Sequence, residues 1–129
     1  KAKGMCVGPQ NAEETEQTYD TLDKQMEDPY SIYNFVKQTI SIRNAFPEIA
    51  RGTNTFEKDL SNDNVCIFTR EYNGEKAVLI FNPSKDEASV DVSSLGVNDA
   101  VAMLQTTKKA PSYKDGTAKL PAYSVLVLK

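Results

Sequence analysis

Val65-Cys66-Ile67-Phe68-Thr69-Arg70-Glu71-Tyr72-Asn73-Gly74-Glu75-Lys76-Ala77-Val78-Leu79-Ile80-Phe81 decides the fold of this chain. Two runs rich in β-branched and aromatic residues, 65–72 and 76–81, flank Asn73-Gly74. Both residues of that pair tolerate positive φ, which the two-residue turn of a tight hairpin requires. The runs are the right length and composition for strands. An antiparallel hairpin is therefore expected at the centre of a β-domain.

Toward the C-terminus the same character continues. Further strands are expected at 88–92, 100–106, 117–120 and 124–128, with turns at Asn82-Pro83-Ser84 and Asp115-Gly116. No helix of ordinary length fits among them, so a parallel sheet, which needs crossover helices, is excluded. Toward the N-terminus the pattern changes at Gly52. Ile32, Phe35, Val36, Thr39, Ile40, Arg43 and Phe46 recur at spacings of three and four, which places them along one helix face ending before Pro47. Asp28-Pro29 reads as the helix start. Before it, residues 4–27 read as loop with at most one short helical turn. The fold class is mainly β: an antiparallel Greek-key β-sandwich preceded by a loop and one amphipathic α-helix.

Composition narrows the function classes. The 129 residues carry a net charge of −3 with both signs scattered, so no basic stripe exists to neutralise phosphates and nucleic acid is not expected as a partner. No apolar run approaches the roughly 20 residues of a membrane span. The chain contains no histidine, which removes Ser-His and Cys-His nucleophile activation and imidazole metal ligands. A phosphate-binding glycine loop, a Cys-x-x-Cys pair and a calcium-loop pattern are also missing. No cofactor and no metal are assigned. Two cysteines make no disulfide framework. Cys66 reads as a small buried hydrophobe in a strand and Cys6 as a free loop thiol, with a Cys6–Cys66 bridge as the alternative.

The order of helix, helix exit and sandwich resembles the end of α-amylase-family glycoside hydrolases. Residues 31–52 carry the resemblance: a helix containing Tyr33 ends in Ile42-Arg43-Asn44, followed by Pro47, Ile49 and Gly52. That phrase is similar to the family's last barrel helix and its exit. Val65-Cys66-Ile67-Phe68-Thr69-Arg70 resembles a family strand ending in arginine, and Val78-Leu79-Ile80-Phe81-Asn82-Pro83-Ser84 an apolar strand with an Asn-x-Ser turn. Leu120-Pro121-Ala122-Tyr123-Ser124-Val125-Leu126-Val127-Leu128 is similar to the closing strand. Gly4-Met5-Cys6-Val7-Gly8-Pro9 resembles the loop after the eighth barrel strand.

The resemblance implies a division at Gly52, with 1–51 ending a catalytic barrel and 52–129 forming a C-terminal all-β domain. It implies the accessory part of an enzyme acting on α-glucans such as starch, in an extracellular setting. The parent's missing barrel is then the natural partner. Glycoside hydrolysis needs two carboxyl groups roughly 5 to 5.5 Å apart for retention, and the family takes them from barrel strand ends upstream of this sequence. No catalytic residue is therefore assigned, and this chain alone is expected to be inactive. Arg43 and Gly52 are expected to shape the junction: the arginine by complementing the helix C-terminus or pairing with a carboxylate, the glycine by supplying a special backbone conformation or permitting a close approach. Tyr113, in the expected loop Pro111-Ser112-Tyr113, is the candidate for an exposed glycan contact. A free-standing carbohydrate-binding module is the competing reading. Without a barrel, the apolar helix face is expected to fold onto the chain's own sandwich or to associate with a second copy.

Overall fold

A computed structural model describes residues 18–129. The phrase Gly4–Pro9 and the thiol of Cys6 lie outside the described residues. Among the described residues, eight strands form two antiparallel sheets. The larger has the order β1 (Thr53–Phe56), β2 (Cys66–Tyr72), β3 (Glu75–Asn82), β8 (Ser124–Leu128) and β5 (Ala100–Leu104). The smaller has the order β4 (Ala88–Asp91), β7 (Thr117–Leu120) and β6 (Ser112–Lys114). The chain crosses between sheets after β3, β4, β5 and β7, and β8 closes the larger sheet by inserting between β3 and β5.

The central hairpin is as expected. Asn73 and Gly74 both adopt positive φ, 52° and 83°, and the strands pair from Tyr72↔Glu75 to Cys66↔Phe81. Asp115-Gly116 makes the equivalent turn between β6 and β7, with φ of 50° and 80°. Alternation then sorts the side chains. Ile67, Val78, Ile80, Leu126 and Leu128 point into the sandwich and pack with Ala118 and Leu120 of the smaller sheet, all fully buried. The opposite parity forms the outer face, where Cys66, Phe68, Leu79, Phe81 and Val125 are half-buried while Ala77, Leu104 and Val127 are buried. Phe56, Phe68 and Phe81 line up across that face, with ring centroids 5.3 and 5.9 Å apart.

Several expectations are corrected. Strands β1 and β6 are additional, because short polar segments such as Thr53–Phe56 give no alternation and are specified by their neighbour's open edge. Cys66 is half-buried on the outer face rather than inside the core. Among the described residues the helical region holds three helices, where one helix and at most a short helical turn were expected: α1 (Leu22–Glu27), α2 (Ile32–Ala45) and α3 (Pro47–Arg51). α2 starts later than Asp28-Pro29 because Ser31 is its N-cap, its Oγ accepting from Asn34 N at 3.2 Å. The Asp28 carboxylate instead accepts from Tyr30 N at 2.9 Å within the preceding turn. Pro47 ends α2 as expected, yet it also supplies the favourable first position of α3. Asn34 ties α1 to α2 by donating through Nδ2 to Gln25 O and Asp28 O at 3.0 and 2.8 Å.

Candidate functional site

Two features of the helical region stand apart from the sandwich: a polar junction at its exit and an apolar surface along α2. At the junction, Pro47 sets α3 so that Glu48 turns back over the sheet and is 2% exposed. Lys129 Nζ lies 2.9 Å from Glu48 Oε1 and donates to Glu75 Oε2 at 3.0 Å, joining α3, β3 and the segment after β8. The alignment at Glu48 Oε1 falls outside hydrogen-bond geometry, so that buried oxygen has a charge partner without a directed bond. Burial by itself raises the Glu48 carboxyl, but the Lys129 ammonium and a hydrogen bond from the Glu48 backbone N–H together outweigh it and hold the group below its ordinary 4.5. Glu48, then Glu75, raise Lys129 above its ordinary 10.5. The Lys129 ammonium also sits 6.0 Å from the Phe46 ring centroid.

Gly52 fits the close-approach reading. A Cβ there would meet Glu48 O at 2.3 Å and Glu71 O at 2.8 Å, both backbone atoms. Its φ of −69° is ordinary, so the requirement is space rather than a left-handed backbone. Arg43 is exposed in the last turn of α2, beside that helix's terminal carbonyls. The junction's carboxylate is held by Lys129, while Arg70 Nε reaches Glu48 O at a long 3.4 Å. Neither Glu48 nor Lys129 was singled out from sequence, where one glutamate after a proline carries no signal of burial.

Along α2 the seven-residue stripe divides in two. Phe35 and Phe46 are half-buried, whereas Ile32, Val36 and Ile40, one turn apart, remain 51%, 50% and 54% exposed. At the N-terminal end of that row lies an open apolar cleft of about 350 Å³ between α2 and the end of the larger sheet, walled by Tyr30, Phe35, Phe81, Tyr123 and Val125. Tyr113 does not stand in a loop. It belongs to β6, packs against the core and donates its hydroxyl to Val97 O at 2.9 Å. Tyr123, which is 52% exposed, is the tyrosine that faces outward from the sandwich. Among the described residues, no group of three or more histidine, cysteine, aspartate or glutamate side chains converges to hold a metal ion.

No curated protein matches the chain. Among solved structures, Eubacterium rectale Amy13B is 98% identical with a TM-score of 0.91, and the match covers 99% of this chain and 25% of that one. The trehalulose synthase MutB from Pseudomonas mesoacidophila MX-45 is 23% identical with a TM-score of 0.68, over 83% of this chain and 19% of that one. The second likeness is one of fold alone. This chain thus spans a quarter or less of the length of these relatives. The family profile described as Maltogenic Amylase, C-terminal domain, matches residues 59–127, more than half of the chain and nearly all of the sandwich. The chain belongs to the maltogenic amylase C-terminal domain family.

Proposed function

We propose that this chain is the non-catalytic C-terminal part of an α-amylase-family glycosidase acting on α-glucans, and that α2, as the barrel's last helix, packs its apolar row on the rest of the barrel while the sandwich braces it. The observation that carries this reading is the row Ile32, Val36 and Ile40, three large aliphatic side chains left half in water on one helix face. Burying them completely is worth about 1 kcal/mol each, since full burial of such a side chain contributes about 1.5–3 kcal/mol. A domain does not ordinarily leave that gain unused along one contiguous stripe. The family membership and the length of the 98%-identical relative support the parent polypeptide as the surface that covers it.

The chemistry present supports an indirect role. The buried carboxylate, Glu48, is held ionised by Lys129 at a structural junction, which is the reverse of the raised pKa a glycosidic acid needs. An extracellular setting belongs to the same proposal and rests on the resemblance alone. Isothermal titration with maltoheptaose beside a reducing-sugar assay on soluble starch tests the reading. Neither binding nor turnover is expected of this chain. Turnover would sink the proposal, and binding without turnover would move the chain to the class of glycan-binding modules.

A further inference from the structure

The cleft at the N-terminal end of α2 is continuous with the exposed row, because Ile32 belongs to both. Its walls are aromatic and aliphatic, and the buried polar atoms at its floor are already spent inside the chain. Asn82 Nδ2 donates to Asp86 O at 2.8 Å and Pro121 O at 2.9 Å, while its Oδ1 accepts from Ser84 N at 3.0 Å and Ser84 Oγ at 2.8 Å. Ser124 Oγ donates to Pro121 O at 2.7 Å. The floor therefore offers nothing to the hydroxyls of a sugar, and an occupant must be apolar to gain from entering.

The outer wall is set by backbone rather than by packing. Tyr123 is a non-glycine residue at φ 50°, with its N–H held by Ser84 O at 3.1 Å. Such a conformation is costly and persists where its surroundings fix it. It keeps the ring standing beside the cleft while half of its surface remains in water. The site is thus preformed, open and dry in character.

We propose that this cleft seats one aromatic or branched aliphatic side chain from the part of the same polypeptide that precedes this chain, and that the insertion is the central lock of the α2 interface. The proposal rests on the docking reading above. It commits to that occupant because the 98%-identical relative carries three quarters of its length outside this region and the cleft runs directly into the row assigned to that interface.

The test uses Thr106→Trp, which places an indole from the rim into the cleft, together with Ile40→Glu at the far end of the row. Each is made in this chain and in the full-length 98%-identical enzyme, and thermal unfolding is followed by calorimetry. In this chain Thr106→Trp is expected to leave the midpoint unchanged or raise it, because the ring fills unoccupied apolar space. In the full-length enzyme it is expected to lower the midpoint of this region by about 2 °C or more, because the seat is taken. Should Thr106→Trp misfold in this chain, Tyr123→Ala, which removes the wall, replaces it with the same expected contrast. If Ile40→Glu destabilises the full-length enzyme while both cleft variants do not, docking through α2 survives and the lock is overturned. If none of them does, both fall. A concentration-dependent dimer of this chain that Thr106→Trp dissolves would give the seat to a second copy, and an added midpoint of stability from maltoheptaose lost in the same variant would give it to a glucan. Either result overturns the proposal.

Discussion

The sandwich and the helical segment are built by opposite rules. Every buried hydrophobic residue of the described chain lies after Gly52, whereas α1 and α2 bury no residue fully and the single buried side chain of α3 is a carboxylate. The sandwich closes its core with its own two sheets. The helices lean on its outer face, which holds half-buried rings, the buried Ala77, Leu104 and Val127, and one ion pair. The difference teaches where burial is closed within this chain: the inter-sheet core is, whereas the outer row of α2 stays half in water.

The comparison breaks first at the core. Ile80→Ala is expected to destabilise the chain by about 2–5 kcal/mol in urea unfolding, since Ile80 is fully buried between the sheets. Ile40→Ala in the same chain should stay within about 0.5 kcal/mol, as an exposed position does. Equal losses at the two positions would dissolve the distinction between the regions.

A smaller effect is expected at the seam. Gly52→Ala forces a Cβ against Glu48 O and Glu71 O, which must shift the path from α3 into β1 at a cost of about 1–3 kcal/mol. Limited proteolysis should then cut between α3 and β1 faster than in the parent while the sandwich core stays protected. Uniform loss of protection across the sandwich would mean that the two regions fold as one unit.

The subtlest test is electrostatic. Glu48 titrates below 4.5 in the folded chain and Lys129 above 10.5. A carboxyl with a depressed pKa stabilises the fold above its unfolded value and loses that contribution as pH falls through the folded value; an ammonium with a raised pKa stabilises below its unfolded value and loses it as pH rises through the folded one. The pair is therefore fully effective between about 4.5 and 10.5. Glu48→Gln should cost about 1–2 kcal/mol at neutral pH, because a buried polar group loses its charge partner, and the gap between parent and variant should close below pH 4.5. A gap that persists at low pH would assign the effect to packing around Glu48 rather than to its charge.

Local rules carried the sequence a long way into the sandwich. Asn73-Gly74 fixed the hairpin because few residue pairs accept two positive φ values in succession, and alternation along β2, β3 and β8 then determined which side chains formed the core. The same rules placed α2 by its apolar period and stopped it before Pro47. They missed β1 and β6, whose existence depends on the open edges of β2 and β7. They also misplaced Tyr113, because a tyrosine after Pro111-Ser112 carries no mark of the strand partner that turns its ring inward.

By itself the sequence determined the sandwich class, the helix and the absence of imidazole chemistry, all of which follow from residue type and short-range period. Only the tertiary structure decided that Glu48 is buried against Lys129, that Gly52 is needed for space rather than for a left-handed backbone, and that Ile32, Val36 and Ile40 are the aliphatic side chains of the α2 stripe left uncovered. The physical reason is that charge pairing, steric closeness and solvent exposure are relations between residues far apart in the chain, set when the helices meet the sheet rather than by the residues on either side.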